Sequence, residues 1–395
     1  MRICLVSQEY PPETAHGGIA TQTFAKAHGL AALGHQVHVI AHSVDADRHV
    51  GDDCGVEVTR IPGYDARMAL NTEIARWITR SVLVAEEVSA LHRRVGLDVV
   101  DFPEWGCEGY VHLLNRTPWS NIPTTVHLQG PLVMLADTIG WPERDSELYR
   151  SGTSMEASCL RLADAVASSS RCSAVWVGKH YGIDADRIPV IHSGVDTVLF
   201  RPKLAIPDQR PTVLFVGRVA LSKGVDTLID AACALAPEMP GLRVRLIGRV
   251  ESAMRHLLEQ RVLAAGHSGM LEFFGQASRE ELPQQLCRAH VFAAPSRFEG
   301  GPGFVYLEAM ACGLPVIGCL GSGVSEVVRD DETGLLVPPG DVNALAAALR
   351  RLLTDTACRE RIGSAGRNFA VEEADTAKCI GRYERFLTGV AEKHS

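Results

Sequence analysis

The 395-residue sequence has no excess of basic residues and no long apolar run. Its 39 Lys and Arg residues stand against 47 Asp and Glu residues, which gives a formal charge of −8. A net acidic chain lacks the electrostatic footprint of a general nucleic-acid-binding protein, so we expect no nucleic-acid partner. No stretch approaches the roughly 18 uninterrupted apolar residues of a transmembrane helix, and Ile3–Val6 is too short for a signal-peptide core. We expect no transmembrane segment, while peripheral contact with a membrane stays open.

Motifs for common cofactors and for zinc are also missing. The 11 cysteines include no Cys-x-x-Cys pair and no Cys/His zinc spacing. They are typical of buried thiols in a reducing compartment, and we therefore expect a cytoplasmic location. No predicted strand is followed by Gly-x-Gly-x-x-Gly, so the dinucleotide-binding fingerprint is absent.

The sequence does contain a repeated alternation of short apolar runs and amphipathic stretches of helical length. The predicted strands are Ile3–Ser7, Gln36–Ala41, Val99–Phe102, Thr124–Leu128, Thr212–Val216, Arg243–Ile247, Val291–Ala294, Pro315–Ile317 and Leu335–Val337, and the predicted helices include Ile19–Leu33, Val225–Leu235 and Val342–Leu353. Such alternation is typical of parallel sheets covered by helices on both faces. The pattern restarts after the Pro- and Asp-containing stretch Phe200–Pro211. The predicted fold class is α/β, with two doubly wound, Rossmann-like domains at 1–197 and 198–370.

Ligands of open parallel sheets bind beyond the carboxyl ends of the strands, which directs attention to the loops there. The loop Gln8–Gly18 ends in two glycines, Gly17 and Gly18, just before a predicted helix. Paired glycines let the backbone approach a ligand, and the free N–H groups of a helix start favour an anion. A tight strand-to-helix turn would explain the same residues.

A second loop carries two cations. Gly217–Gly224 follows a predicted strand and contains Arg218 and Lys223, five residues apart. Two cations on a glycine-bounded loop suit a diphosphate. A solvated loop with ordinary surface charges is the alternative.

A third loop, Pro295–Gly303, combines three glycines with a proline and leads into a predicted helix. Its exposed backbone amides favour an anion. Glu308, in the first turns of that helix, cannot bind phosphate, but its carboxylate can accept hydrogen bonds from sugar hydroxyls. An exposed surface acid is the alternative for Glu308. Together, the three loops indicate a pocket for a nucleotide-diphosphate sugar.

With these loops, the chain resembles the retaining glycosyltransferases of family four, which have the GT-B fold. The resemblance covers nearly the whole chain and extends to Val190–Asp196, Gly321–Glu326 and Thr333–Asp341. It implies two domains facing each other across a cleft, with the acceptor bound by the N-terminal domain and the nucleotide sugar by the C-terminal domain. It also implies that a final helix, within 371–395, returns to the N-terminal domain.

The resemblance implies functions for the matched residues. The expected catalytic residues are His127, Arg218, Lys223 and Glu299, and the expected donor-binding residues are Gly17, Gly18, Arg218, Lys223, Gly301, Gly303, Phe304, Glu308 and Glu326. His127 matches a histidine that borders the transferred sugar, and Glu308 matches the glutamate that binds the nucleotide ribose. Glu326 resembles the acid of a Gly-Gly-x-x-Glu segment that often only shapes the pocket.

One match departs from the family pattern. Eight residues separate Glu299 from Glu308, whereas the family's Glu-x7-Glu motif has seven. The strict register would place Gly300 at the first glutamate position. We expect a one-residue insertion in Gly300–Gly303 that still directs Glu299 inward, although a solvent-facing Glu299 stays open.

The resemblance implies transfer of a hexosyl unit from a UDP- or GDP-sugar to an acceptor hydroxyl, with retention at the anomeric carbon. The nucleotide sugar is then a co-substrate, and we expect no other cofactor. Asp-x-Asp spacing, with which metal-dependent transferases hold a cation, occurs at Asp45/Asp47 and Asp184/Asp186. Neither pair adjoins the cationic loop in sequence, so we expect no metal site.

The acceptor cannot be identified from the sequence. The segment Asp101–Cys107 is the expected acceptor contact. The aromatic residues Trp105, Tyr110, Trp119 and Trp141 could stack on a sugar ring, and core packing is the alternative for them. A nucleotide-sugar epimerase, phosphorylase or hydrolase of the same fold, and a non-catalytic sugar-nucleotide-binding protein, are the alternatives to a transferase.

Overall fold

The computed structural model describes residues 1–14, 17–45, 47–63, 72–117, 121–203 and 208–393. The chain divides into two compact units. The first unit comprises Met1–Ser193 together with Thr376–Ser395, and the second comprises Gly194–Asp375. The sequence placed the two boundaries at 197/198 and 370/371.

The first unit contains a seven-stranded sheet among its described residues. Its strands are β1 (Arg2–Val6), β2 (Gln36–His42), β3 (His49–Asp53), β4 (Val56–Ile61), β5 (Val99–Pro103), β6 (Thr124–Leu128) and β7 (Ala165–Ser168), in the order β3-β4-β2-β1-β5-β6-β7. The central strand β1 is buried on both faces: Cys4 and Val6 belong to the core on one side, and Ile3 and Leu5 to the core on the other. This burial explains why β1 is a continuous apolar run.

Helices cover both faces of this sheet. They are α1 (Gly18–Ala32), α2 (Glu73–Val95), α3 (Tyr110–Leu114), α4 (Leu132–Ile139), α5 (Glu147–Leu162) and α6 (Arg171–Tyr181). Thr72 caps α2 by accepting a hydrogen bond from the backbone N–H of Ala75, and Gly96, at φ +68°, ends it in the left-handed region.

An antiparallel hairpin at the edge of the sheet differs from the all-parallel expectation. Strand β3 pairs with β4 in antiparallel register, and the turn between them holds Cys54 and Gly55 at φ +51° and +91°. Two central residues with positive φ are typical of a two-residue hairpin turn. The exposed strand β3 carries little apolar sequence, which is why periodicity did not predict it.

The second unit contains a six-stranded parallel sheet within its described residues. Its strands are β8 (Thr212–Val216), β9 (Arg243–Ile247), β10 (Leu271–Gly275), β11 (Val291–Ala293), β12 (Val316–Cys319) and β13 (Leu335–Val337), in the order β10-β9-β8-β11-β12-β13. Its helices are α7 (Val225–Leu235), α8 (Ser252–Ala264), α9 (Leu282–Arg288), α10 (Phe304–Ala311), α11 (Val342–Thr354) and α12 (Thr356–Glu372). Because β8, β11 and β12 are neighbours, the loops that follow them meet at one edge of the sheet.

The last helix, α13 (Thr376–Glu392), belongs to the first unit. Its Ile380, Tyr383 and Leu387 join the core beside β1, and α1 approaches it at Gly29, where a Cβ would lie 2.7 Å from a side-chain carbon of Ile380. The absence of a side chain at Gly29 therefore lets the two helices pack closely. Over the described residues, no helix has the length and apolar character needed to cross a membrane.

Candidate functional site

Three loops of the second unit are packed together by glycines that permit close backbone contacts. Gly224, at φ +68°, ends the loop after β8, and a Cβ there would lie 1.9 Å from the carbonyl oxygen of Pro295. The backbone N–H of Arg297 donates to the carbonyl of Ser222 at 3.0 Å. These contacts join the loop of Arg218 and Lys223 to the loop that follows β11.

The loop that follows β12 packs in the same way against the loop that follows β11. The backbone N–H of Gly323 donates to the carbonyl of Glu299 at 2.9 Å, and a Cβ on Gly323 would lie 2.4 Å from the carbonyl oxygen of Gly301. Glu326 lies at the end of the 3₁₀ turn Gly323–Glu326 and is half-buried. The structure thus brings the segments of Lys223, Glu299 and Glu326 to one edge of the sheet.

The side chain of Glu299 is directed toward Lys223. One carboxylate oxygen, Oε1, lies 2.6 Å from Lys223 Nζ and accepts a hydrogen bond from Ser296 Oγ at 2.7 Å. The side chain of Glu299 is only 18% exposed, and that of Lys223 is 30% exposed. The loop geometry therefore matches the expected insertion, with Glu299 facing the cationic loop instead of solvent.

The other cation of the loop, Arg218, has no such partner. Its side chain is exposed, and it makes no hydrogen bond or ion pair with any residue in the described part of the chain. A guanidinium can form bidentate hydrogen bonds with phosphate oxygens. Arg218 is therefore available to an anionic ligand without breaking an existing ion pair.

Glu308 is buried near the start of α10, so the alternative of an exposed surface acid is wrong. Gly303, at φ +70°, precedes the first residue of the helix, Phe304, and Glu308 itself is 8% exposed. Burial raises the pKa of its carboxyl group to about 7, and Arg279, 3.9 Å away, opposes this increase. Within the described residues the carboxyl group of Glu308 accepts no hydrogen bond, so it can accept one from a ligand hydroxyl.

In the first unit, the two expected glycines lie at the start of α1. Gly17 is the N-cap residue, with extended backbone at φ −161°, and Gly18 begins the helix. A Cβ on Gly17 would lie 3.4 Å from a carboxylate oxygen of Glu9, which is an ordinary contact. The expected loop also contains Ala15 and His16, which lie outside the described residues.

His127 is buried on β6 and belongs to a polar cluster. Its Nδ1 lies 3.2 Å from Nζ of Lys26, which in turn contacts Asp101 Oδ2 at 3.1 Å. Tyr383 from α13 donates to the same carboxylate at 2.5 Å. Sequence reasoning identified His127 but missed Lys26 and Tyr383. Lys26 could have been identified from the sequence, because it is a charged residue on the apolar face of α1, beside Ala27 and Leu30.

The two acidic side chains of the segment Asp101–Cys107, Asp101 and Glu104, accept hydrogen bonds from residues of the first unit. Glu104 is fully buried and accepts hydrogen bonds at Oε1 from the backbone N–H groups of Gln129, at 2.6 Å, and Gly130. Burial raises the pKa of Glu104 to about 7. Of the segment, only Trp105 is partly exposed, and its ring lies 5.8 Å from that of Trp141. The other side chains of the segment are buried, and Trp119 lies outside the described residues.

A cavity of about 580 Å³ lies in the first unit beyond β1, β2 and β4, and Gln8 and Asp45 of its lining belong to segments that the sequence singled out. Its lining includes Gln8, His42, Arg76, Trp77 and Arg80. Arg80 is buried, and its Nε donates to Glu108 Oε1 at 3.0 Å, but its NH2 nitrogen has no partner among the described residues. The sequence could have indicated this site, because Arg80 is a charged residue on the apolar face of α2.

The Asp-x-Asp pairs contribute to turns. Asp45 accepts a hydrogen bond from Ser43 Oγ at 2.6 Å, and Asp184 accepts one from the backbone N–H of Asp186 at 3.1 Å. Asp186 also pairs with Arg171. In the described ranges of the chain, no group of three or more His, Cys, Asp or Glu side chains is arranged to hold a metal ion.

Two family models match adjoining parts of the chain. The model described as "Glycosyltransferase Family 4" matches residues 16–199, and the one described as "Glycosyl transferases group 1" matches residues 196–369. Together they span both units and all three loops of the second unit.

Curated proteins and solved structures show the same likeness. D-inositol 3-phosphate glycosyltransferase of Nocardioides sp. is 29% identical over 80% of this chain and 70% of its own length. Alpha-maltose-1-phosphate synthase of Mycolicibacterium smegmatis is 28% identical over 94% of this chain and 95% of its own length. The structure of sucrose-phosphate synthase from Thermosynechococcus elongatus has a TM-score of 0.83 and 26% identity over 98% of this chain and 99% of that one.

Proposed function

The chain belongs to the family-four glycosyltransferases with the GT-B fold, and we propose that it transfers a hexosyl unit from a UDP- or GDP-sugar to an acceptor hydroxyl with retention at the anomeric carbon. One observation supports the donor most directly. The glycine-packed loops of the second unit place the unpaired cation Arg218, the pair Lys223–Glu299 and the buried carboxyl of Glu308 around the ends of neighbouring strands.

The chemistry required of these residues is electrostatic. When the bond between sugar and nucleotide breaks, the diphosphate leaving group gains negative charge, and positive groups already in place stabilise it. Arg218 and Lys223 would meet that charge, with backbone N–H groups near Gly301 and Gly303 beside them. In this proposal Lys223 exchanges its contact with Glu299 for the diphosphate, and Glu299 is then available to the transferred sugar.

The nucleoside and the acceptor would use buried polar groups that lack partners. The carboxylate of Glu308 would accept hydrogen bonds from ribose hydroxyls. For the acceptor, we assign the cavity lined by Trp77 and Arg80, because the unpartnered NH2 nitrogen of Arg80 needs an oxygen acceptor and Trp77 offers an aromatic face. The names of all three relatives include a phosphorylated compound, so phosphorylated acceptors belong in the first screen.

The proposal includes no cofactor and no metal ion. Two cations of the chain itself lie on the loop that is expected to hold the diphosphate. Of the carboxylates with Asp-x-Asp spacing, Asp45 and Asp184 accept hydrogen bonds within turns, and Asp186 pairs with Arg171. The only other small molecule required is the nucleotide sugar itself, which is consumed as a co-substrate.

A thermal-shift panel of UDP, GDP, ADP and their sugars tests the donor assignment first. A ligand at about one hundred times its Kd stabilises a protein by about 2.7 kcal/mol. We expect stabilisation by UDP or GDP and their sugars. A flat panel would contradict the assignment.

Variants of the cationic loop then test the residues. We expect Lys223→Ala and Arg218→Ala each to lower kcat/KM by about 10²–10³ with an unchanged melting temperature, as for loss of one preorganised donor. Arg255→Ala is the matched control, because Arg255 is an exposed cation of the same unit that forms an ion pair with Glu259 on its own helix and lies over the ring of Phe273. Normal kcat/KM in both loop variants would refute the diphosphate assignment.

Product analysis separates the transferase from its alternatives. The anomeric configuration of the product, read by NMR, reports retention. Turnover of the nucleotide sugar without an acceptor would favour an epimerase or hydrolase, and binding without turnover of any acceptor would favour a non-catalytic protein.

A further inference from the structure

A buried charged cluster surrounds His127 in the first unit. It consists of Lys26 on α1, Asp101 on β5, Thr125 and His127 on β6, and Tyr383 on α13, and all five side chains are buried. We call it the Lys26 cluster. It draws on four separate elements.

The carboxyl group of Asp101 in this cluster accepts hydrogen bonds from three donors. Thr125 Oγ1 donates to Oδ1 at 2.6 Å, and Tyr383 donates to Oδ2 at 2.5 Å. Burial and the neighbouring Asp101 raise the pKa of Tyr383 well above its ordinary value, so the tyrosine keeps its proton and acts as the donor. The third donor is the ammonium group of Lys26, 3.1 Å from Oδ2.

Burial lowers the pKa of Lys26, and its contact with Asp101 opposes this decrease. The ammonium form has donors only, and this determines which hydrogen bond His127 can make to it. Lys26 Nζ lies 3.2 Å from His127 Nδ1, so Nδ1 must be the acceptor of that hydrogen bond. A neutral imidazole carries its single proton on the other nitrogen, Nε2. A doubly protonated ring would place an N–H group against the ammonium.

The surroundings of His127 also favour the neutral ring. Burial, and then the positive charge of Lys26, lower its pKa well below the ordinary value. Tyr383 packs edge-on against the imidazole, with ring centres 5.8 Å apart. The negative charges of Asp101 and Glu104 act on Lys26. No acid in the cluster contacts the imidazole directly among the described residues.

The proton on Nε2 has no acceptor in the structure. Nε2 is buried and lacks a hydrogen-bond partner among the described residues. A buried donor without an acceptor costs about 1–3 kcal/mol, a cost that a bound ligand with an oxygen at this position would remove.

We propose that Lys26 is a positioning residue that holds His127 in the Nε2–H form, so that His127 is a neutral hydrogen-bond donor to a hydroxyl oxygen of a bound sugar. The assignment of that oxygen to a sugar rests on the proposed function, whereas the position of the proton does not. His127 then neither removes nor supplies a proton in the reaction.

The position of the proton is measured directly on the full-length chain labelled with ¹⁵N-histidine. Two-bond ¹H–¹⁵N correlations distinguish the two neutral forms and the charged form, and the His127 signal is assigned by its loss in His127→Gln. We expect the Nε2–H form with no titration between about pH 6 and 8. The Nδ1–H form, or a midpoint near 6.5, would overturn the proposal.

Replacing Lys26 tests whether this residue sets the position of the His127 proton. Because Lys26→Met alone leaves Asp101 buried without its cation, the variant of choice is Lys26→Met/Asp101→Asn. We expect its His127 to populate both neutral forms. His112 is an internal control, since its Nε2 lies 3.1 Å from Thr124 Oγ1 and its ring lies against Phe102, away from Lys26. An unchanged His127 signal would show that Lys26 does not set the proton position.

Kinetics separate positioning from a merely structural contribution. We expect Lys26→Met/Asp101→Asn to lower kcat/KM roughly threefold to tenfold, the size of one hydrogen bond. In a His127→Ala background the same pair of changes should cost nothing further, because Lys26 acts through His127. If the loss of kcat/KM from the Lys26/Asp101 changes multiplies with the loss from His127→Ala, the proposal is wrong.

The two proposals fail separately. If no nucleotide sugar is turned over but the NMR spectra agree, the proposed function fails and the proton assignment stands. If transfer occurs and the spectra disagree, only the inference about Lys26 fails.

Discussion

At the scale of single residues, buried carboxyl groups in the two units differ in their partners. Glu104 is held by two backbone N–H groups that fix the loop after β6. The carboxyl group of Glu308 is also buried, but within the described residues it accepts no hydrogen bond and has only the distant ion pair with Arg279 at 3.9 Å. A buried acid with so weak a partner in its own fold is best explained by a ligand.

The affinity for the nucleotide sugar should depend on the ionisation of Glu308. Burial raises the pKa of Glu308 to about 7, and ribose hydroxyls donate best to the ionised form. We expect affinity to rise about tenfold between about pH 6 and 8 as the group ionises. Titration calorimetry with a nucleotide sugar measures this, since its diphosphate does not ionise in that range.

Glu308→Gln is the matching variant, because it keeps the shape and removes the ionisation. It should weaken binding at about pH 8 by roughly 1.5–3 kcal/mol and show a flat pH profile. A profile as steep as that of the unaltered chain would assign the titration to another group.

The site residues that could be predicted from the sequence are those that lie within a short, recognisable motif. Arg218 and Lys223 lie on one short loop, and Glu308 lies just after a glycine-rich loop, so their chemistry is visible in sequence. Lys26 and Tyr383 are brought to Asp101 by packing between distant elements, the second across 282 residues. No local pattern encodes such a contact.

At the scale of elements, the packing of the loop after β8 against the loop after β11 depends on Gly224. Gly224→Ala would require a left-handed conformation, costing roughly 1–2 kcal/mol, and a clash with Pro295, costing typically about 1–3 kcal/mol more. Gly266→Ala is the control, since Gly266 also has a positive φ of +78° but has nothing within 4 Å of the added carbon. We expect a larger loss of melting temperature, and weaker nucleotide-sugar binding, for Gly224→Ala alone. Equal losses in the two variants would refute the close-contact explanation.

Helix α5 meets α4 and α6 at a buried acid, Glu156. The hydroxyl of Tyr181 on α6 donates to Glu156 Oε2 at 2.6 Å, and the backbone N–H of Leu132 on α4 also donates to the carboxyl group. Burial raises the pKa of Glu156 to about 8, above the ordinary 4.5. The protonated form is therefore favoured in the folded chain, and its stabilising contribution is full below about pH 4.5 and is lost as the pH rises to about 8.

Glu156→Gln should remove that pH dependence. Over this window the unaltered chain should lose up to about 1.4 kcal/mol per pH unit from this one group, and the variant should not. Chemical denaturation at a series of pH values measures the difference. Parallel pH profiles for the two proteins would exclude a raised pKa at Glu156.

The elements predicted from sequence are those with strong periodicity. The structure confirms β6, β8, β9 and β13 with the predicted bounds, and α7 likewise. Strand β12 begins one residue later than expected, at Val316, because Pro315 has no N–H group to donate to the sheet. The strands β3, β4, β7 and β10 were not predicted; β3 is exposed and has little apolar sequence, and β7 has only four residues.

At the scale of the whole molecule, the proposed reaction needs no metal ion, because Arg218 and Lys223 lie on one loop of the second unit. We expect transfer to survive EDTA, because Arg218 and Lys223 lie where a metal-dependent transferase would hold its cation through carboxylates. Activity assays with and without the chelator, on protein purified without added metal, measure this. Complete loss with rescue by Mn²⁺ or Mg²⁺ would contradict it.

The return of α13 to the first unit has a consequence for biosynthesis. Tyr383 leaves the ribosome 282 residues after Asp101, an interval of roughly 15–60 s at common elongation rates. During that time the nascent chain holds the pair Lys26–Asp101 without its tyrosine, and the apolar face around Ala27 and Leu30 is uncovered on the side where α13 will pack. A chaperone that recognises exposed apolar surface would meet its substrate in this interval. The unit that is synthesised first is thus the unit whose core is completed last.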